Sequence, residues 1–152
     1  MKLSINIATE ADIRLLGRMN KELIDDEGSS NPMNVIKLEQ RMRGFLATDY
    51  RADILMIENE PIGYALYRFS VSSANPQKQD VYLRQYFIER IFRGRGYGMQ
   101  GIELLKNLRF ASVDTLSIDV LAANTTGHQF WVRAGFQPYS IQMNTKLNQF
   151  HE

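Results

Sequence analysis

Arg93-Gly94-Arg95-Gly96-Tyr97-Gly98 is the stretch whose residue types and spacing point most directly to chemistry. Three glycines at every second position are bracketed by two arginines. Before them Val81, Leu83, Tyr86 and Ile88 alternate roughly as a strand does, and from Met99 the residues favour a helix. A glycine turn opening a helix leaves the first backbone N–H groups of that helix unpaired and lets an anion approach them without a side chain in the way. A phosphate held there gains the positive end of the helix dipole and two guanidinium groups. The plain alternative is a solvated turn that the glycines merely permit; arginines around alternating glycines at a helix start favour the phosphate.

Such a turn needs a strand before it and a helix after it, and the rest of the chain gives a consistent frame. Leu3, Ile5 and Ile7 alternate as a short strand. Thr9-Glu10-Ala11-Asp12 has the form of a capping box opening a first helix, with Ile13, Leu16, Met19, Leu23 and Ile24 on one face. Asp25-Asp26-Glu27-Gly28 ends that helix, and Ser29-Ser30-Asn31-Pro32 has turn chemistry. Asn34 caps a second helix in which Val35, Leu38, Met42, Phe45 and Leu46 form the apolar stripe. Residues 52–57 and 62–71 read as an antiparallel hairpin around Glu58-Asn59-Glu60-Pro61, and the polar stretch 72–79 as a loop between strands.

Beyond the glycine turn, Ile102, Leu105 and Leu108 stripe the central helix. Thr115 to Leu121 is a β-branched strand that, with a helix intervening, should run parallel to the strand before the turn. Asn124 to Ala134 is a short helix stopped by Gly135, and Phe136 to Leu147 predicts a last pair of short strands. No internal repeat or low-complexity segment interrupts this order.

The length of 152 residues fits one domain with a sizeable core. With 18 basic and 17 acidic residues the net charge is +1, so no global field draws the chain to nucleic acid or to an anionic membrane. Any anion site must be local. The absence of cysteine removes disulfides, thiolate catalysis and zinc–thiolate sites together. Two histidines, His128 and His151, are too few and too separated for a His-based metal centre, so no metal is expected. No apolar run approaches the roughly 20 residues of a membrane span, and MKLSINIATE lacks a signal-peptide core, so the expected location is cytoplasmic.

The glycine–arginine turn between strand and amphipathic helix resembles the acyl-CoA pyrophosphate loop of the GNAT superfamily of N-acetyltransferases. A second stretch agrees: Asn124, then Phe130-Trp131 and Ala134-Gly135-Phe136, resembles the family's later cofactor motif. The element order matches over essentially the full length. The resemblance implies an α/β (α+β) GNAT-like fold, with a mixed central sheet of about seven strands, four helices and two parallel strands splayed at the acyl-CoA site. It implies one acetyltransferase domain over residues 1–152, with acetyl-CoA as cosubstrate and a small-molecule or peptide amine as acceptor, in a monomer or homodimer.

Carried over to this chain, the resemblance puts the pantetheine arm along the edge at Phe87, Ile88 and Glu89 through main-chain groups. It puts the pyrophosphate on the amides of Arg93, Gly94, Arg95, Gly96, Tyr97 and Gly98, with Asn124, Phe130 and Trp131 as further cofactor contacts. A free N–H near Ile88 would stabilise the oxyanion. Trp131 stands where many relatives carry Tyr, and an indole donates a hydrogen bond but does not protonate a thiolate as a phenol can. Tyr139 is the substitute phenol on this reading, or a packing residue.

An alkylammonium acceptor with a pKa of about 10.4 must lose a proton before attack. Asp119 is the candidate base, being an acid in a strand that otherwise reads as buried, or else it pairs with Arg84. Glu89 and Tyr82 are the other groups at hand, with solvation and packing as their plain roles. For the acceptor, Asp26 and Glu27 offer negative charge to a cationic amine, or are simply solvated. Arg84 and Gln85 instead favour a carboxylate-bearing amine.

Two rival readings frame this one. Gly96-Tyr97-Gly98-Met99-Gln100-Gly101 satisfies the G-x-G-x-x-G dinucleotide fingerprint, with Asp119 at the distance of a ribose-binding acid. The charged segment 89–95 separates these glycines from their strand, however, and one further βα unit is too little for a dinucleotide half-fold. The other rival is a CoA-binding sensor or regulatory module without turnover. A P-loop is excluded because no Gly-Lys-Ser/Thr follows the glycines.

Overall fold

The computed structural model describes residues 2–148, which leaves His151 outside the described residues. Strands β1 (Leu3–Ile7), β2 (Tyr50–Ile57), β3 (Glu60–Val71), β4 (Gln79–Ile88) and β5 (Val113–Ser117) form one sheet in that order. The first four are antiparallel to their neighbours, and β5 joins β4 in parallel. Helices α1 (Ile13–Glu27) and α2 (Val35–Leu46) precede β2, α3 (Tyr97–Leu108) crosses from β4 to β5, and α4 (Thr125–Arg133) follows β5. Four α-helices and a mixed sheet thus agree with the expectation.

Strand alternation divides the core in two. Leu55, Ile57, Ala65, Tyr67, Val81 and Leu83 turn one way, against Ile102 and Leu105 of α3. Ala52, Ile54, Tyr64, Leu66 and Phe87 turn the other way, against Ile13, Leu16, Met19 and Leu23 of α1 and Met42 of α2. The helix starts follow their capping residues. Thr9 and Asp12 complete a capping box around a 3-10 turn that leads into α1, and the Asn34 side chain accepts a hydrogen bond from Lys37 N at 2.9 Å.

One charged group lies within the sheet layer itself. Asp53 on β2 is fully buried, accepts hydrogen bonds from Arg109 Nε and Nη2, and accepts another from the Tyr67 hydroxyl. Arg109 stands just past the last turn of α3, so this group fastens the end of the central helix to the middle of the sheet.

Two expectations are corrected. The described residues contain five strands rather than about seven, because Phe136 to Leu147 forms no strand. Its alternation is real, but Tyr139, Ile141 and Met143 stand 99%, 85% and 86% exposed. Period-two spacing produces a strand only where an edge offers hydrogen bonds and a face covers the apolar side chains. Pro138 also lacks an N–H to contribute. The strand expected over Thr115 to Leu121 lies instead at Val113–Ser117, so Asp119 stands beyond its end and is exposed.

Candidate active site

The site begins where β4 and β5 part. They pair only from Gln79 to Tyr82, whereas β4 runs on to Ile88, so among the described residues no strand lies beside that edge from Leu83 to Ile88. A β-bulge on the other side of β4 sets Leu66 opposite Gln85 and Tyr67 opposite Leu83, leaving Arg84 extra. The bulge breaks the alternation: Leu83 faces α3, while Arg84 and Gln85 both face α1 and α2. Glu89 N–H donates to Ile62 C=O at 2.7 Å, and alternation then turns the Ile88 N–H away from β3, toward the open edge.

Past β4 the chain makes a 3-10 turn at Arg90–Phe92 and enters the glycine stretch. Gly94 and Gly96 adopt φ values of 77° and 84°, a region costly for residues with a Cβ. Among the described residues, the backbone N–H groups from Gly94 to Met99 have no hydrogen-bond partner, and the first helical bond runs from Gln100 N to Gly96 C=O. These N–H groups sit at the start of α3, a donor set suited to a diphosphate. A Cβ on Gly98 would come within 3.0 Å of the Phe130 ring, so α4 packs directly on the first turn of α3. Phe130 and Trp131 continue from there against Tyr86, whose hydroxyl donates to Gly98 C=O at 2.7 Å.

The two arginines of the turn have different partners. Arg93 is held by the protein itself: Nε donates to Ile88 C=O at 2.7 Å, Nη2 donates to Asp26 Oδ2 at 2.6 Å, and the guanidinium lies over the Phe87 ring. Of the two, Arg95, over Phe92, has no carboxylate partner among the described residues and is available to an anion. Asp26 also binds Arg90, so both of its oxygens are occupied, and it ties the end of α1 to the turn rather than facing an acceptor. Burial works against its ionisation, but the Arg93 and Arg90 hydrogen bonds outweigh burial and hold the carboxyl below its ordinary value.

A depressed carboxylate adds stability that is present above its unfolded value of 3.8 and lost as pH falls through the lower folded value. With Arg93 41% exposed, solvent screening limits this pair to about 1 kcal/mol. Asp26→Asn is expected to lose that amount in urea unfolding at pH 7 and to show a smaller loss than wild type between pH 5 and pH 2. Equal unfolding free energies at pH 7 would remove this role.

The remaining expected residues fall as follows. Phe87 is buried against Tyr64, and Glu89 pairs with Arg18 at 2.8 Å. Asn124 Oδ1 caps α4 through Gly127 N. Asp119 does not pair with Arg84; it accepts a hydrogen bond from Tyr82 at 2.7 Å, and burial and that bond push the Tyr82 phenol up to about 12. Tyr139, 99% exposed, has no partner among the described residues and does not join the group around β4. Arg84 hydrogen-bonds the Tyr50 hydroxyl, and Gln85 Oε1 accepts from Tyr64 at 2.8 Å.

Glu27 is different in kind. It is half-buried at the end of α1 and has no hydrogen bond or ion pair among the described residues, and burial with the neighbouring Asp26 charge raises its pKa. Burial, and after it the Glu27 charge, raise the Tyr64 pKa well above its ordinary value, while Arg41 acts in the other direction. Sequence reasoning missed Asn20, Arg41 and Tyr64. The missed signal was polar residues within apolar stripes: Asn20 falls four after Leu16, and Arg41 falls between Leu38 and Phe45.

The acetyltransferase (GNAT) family model matches residues 19–136, and the chain belongs to that family. Solved structures share the fold at low identity. A possible acetyltransferase from Clostridium difficile 630 is 11% identical, with a TM-score of 0.79 over 99% of this chain and 100% of its own. A protein from Clostridium acetobutylicum described as a predicted acetyltransferase, solved with acetyl-CoA, is 20% identical, with a TM-score of 0.74 and coverage of 99% and 100%. An aminoglycoside N-acetyltransferase in complex with CoA is 16% identical, with a TM-score of 0.73 and coverage of 97% and 95%. No curated protein matches the sequence. Among the described residues no cluster of ligating side chains could hold a metal ion, and no helix is long and apolar enough to cross a membrane.

Proposed function

We propose that the protein is an acetyl-CoA-dependent N-acetyltransferase, acting as one domain, in which a primary amine attacks directly in a ternary complex. The observation that supports this reading best is the open edge of β4, Leu83 to Ile88, leading into the unpaired N–H groups from Gly94 to Met99. Together they match the two chemically distinct parts of acetyl-CoA: an amide-bearing arm for the strand edge and a diphosphate for the helix start. The cosubstrate supplies the acetyl group as a thioester. The N–C bond forms as the C–S bond breaks, one amine proton passes to the protein, and CoA leaves as thiolate to be protonated by solvent.

Ile88 N–H is the donor on this reading for charge developing on the acetyl oxygen. Glu27, rather than Asp119 or Tyr139, is the proton acceptor on this reading: it has no competing partner among the described residues, it follows Asp26, which binds Arg90 and Arg93 just past β4, and burial and the Asp26 charge raise its pKa. Solved relatives with acetyl-CoA or CoA and the same fold support the cosubstrate.

Acetyl-CoA at about 100 times its Kd is expected to stabilise the protein by roughly 2.7 kcal/mol, a thermal shift of several degrees, and CoA thiol is expected to be released when amines are added. NAD is expected to leave the melting temperature unchanged. Stabilisation by NAD alone would restore the dinucleotide reading, and stabilisation by acetyl-CoA without turnover on any amine would leave a CoA-binding module.

A further inference from the structure

The polar residues that interrupt the α1 and α2 stripes form one group around Tyr64. Asn20 is 1% exposed; its Oδ1 accepts from Arg41 Nη2 at 3.1 Å, while its buried Nδ2 meets no acceptor at hydrogen-bonding geometry. Arg41 Nε is likewise buried and unpartnered. Arg84, brought to this face by the bulge in β4, lies 4.9 Å from the Phe45 ring centroid, and Arg41 lies 5.5 Å from the same centroid. Two guanidinium groups therefore share one ring. Among the described residues, neither has a carboxylate within ion-pair distance. Burial and the neighbouring Arg84 charge pull the Arg41 pKa below its ordinary value, as expected of a cation beside a like charge without a counter-charge.

A half-buried cation beside a like charge, with buried unpaired donors around it, is costly unless something completes it. The completing group is an anion, and the planar guanidinium fork suits a carboxylate. Glu27 decides between a simple anion and something more. It stands on α1 seven residues, about two turns, after Asn20 and so on the same face of the helix, and among the described residues it forms no ion pair with either arginine. A doubly charged phosphate at the arginines would be repelled by it. A molecule with a carboxylate at one end and an ammonium at the other would satisfy both signs, and Gln85, hydrogen-bonded to Tyr64, lies beside the same group.

We propose that the acceptor is an amine that carries a carboxylate, such as an amino acid, with the carboxylate held by Arg41 and Arg84 and the amine turned toward Glu27. This rests on the acetyltransferase reading above and gives it a substrate class. The arginines hold the acceptor; Asn20 positions Arg41, and Tyr50 positions Arg84.

The test compares kcat/KM for a panel of L-amino acids with that for the matching carboxamides. The carboxamides have less basic amines, so intrinsic reactivity near neutral pH works against the expected result. Wild type is expected to prefer the acids by about ten- to a hundredfold, the range of a charge-assisted hydrogen-bonded pair. Arg84→Gln and Arg41→Gln are expected to bring that ratio close to one, through KM, with the acetyl-CoA thermal shift unchanged. Arg84 is exposed, so its variant keeps the test valid if Arg41→Gln does not fold.

Acetylation of amides as efficiently as acids, or a preference that survives in Arg84→Gln, would overturn the proposal and leave the acetyltransferase reading intact. If no amine is acetylated and acetyl-CoA does not stabilise the protein, that reading has failed instead. Calorimetric titration with the same panel then separates the two: binding of an acid but not its amide, lost in Arg84→Gln, supports the arginine site, and no binding by any acid overturns it.

Discussion

Glu27→Gln is expected to lower kcat for acetyl transfer by about a hundred- to ten-thousandfold, the span a positioned general base contributes. The amide keeps the size of the carboxylate and its place at the end of α1, so acetyl-CoA should stabilise the variant as it does wild type. What is lost is an acceptor for the proton that the amine must shed. Burial, then the Asp26 charge, raise the Glu27 pKa above its ordinary 4.5. A base works only when deprotonated, so activity is expected to fall as pH drops through that raised value, at a pH higher than an ordinary glutamate would give. The same shift has a consequence for folding. A carboxyl that binds its proton more tightly when folded gives stability that declines as pH rises through its titration range, so removing the charge should not destabilise the protein at neutral pH. The groups around it are Asp26, Tyr64 and, through Tyr64, Arg41; Asp26 raises its pKa and is held ionised by Arg93 and Arg90. A Glu27→Gln enzyme with wild-type kcat and an unchanged acid limb would assign the proton to another group.

Glu27 also shows how sequence and structure divided the work. The turn at Arg93 to Gly98 was readable because its chemistry is local: glycine where φ must be positive, and N–H groups freed by a helix start. The capping residues Thr9 and Asn34 were readable for the same reason. What could not be read was which side chains meet across elements. Arg93 looked like a phosphate ligand, yet its guanidinium is bound by Asp26, 67 positions away in the chain. The β-branched run to Leu121 suggests a buried Asp119, but β5 ends at Ser117; Tyr139 follows Gly135-Phe136 as a substitute phenol would, but it is 99% exposed and away from the group around β4. The bulge at Arg84 left no mark in the pattern of apolar residues, yet it turns Arg84 and Gln85 to the same side. Polar residues inside an otherwise apolar helical stripe were the signal available and unused. Asn20 and Arg41 lie on those stripes, and Glu27 continues the α1 stripe four residues after Leu23.

Asp53→Ala is expected to destabilise the protein by about 3–5 kcal/mol, the cost of removing one partner from a buried ion pair and leaving the other uncompensated. In the sequence Asp53 is one polar residue within a strand; in the structure it is the fully buried acceptor for Arg109 and for the Tyr67 hydroxyl. Its removal leaves the Arg109 guanidinium, 25% exposed, and the buried Tyr67 phenol without their shared acceptor. Burial, then the Asp53 hydrogen bond, raise the Tyr67 pKa well above its ordinary value, so the phenol remains a donor throughout the neutral range. Because Arg109 follows the last turn of α3, loosening it acts on the helix whose first turn presents the unpaired N–H groups. For a chain of this size the loss corresponds to a fall in melting temperature on the order of 10 °C. The double variant Asp53→Leu with Arg109→Met should recover most of it, since an apolar pair of similar volume removes both the charge and the need for a partner. Urea unfolding of the single and double variants measures both terms. A single variant within 1 kcal/mol of wild type would mean that water reaches Arg109 and replaces Asp53. A double variant no better than the single would mean that packing rather than an orphaned charge sets the cost.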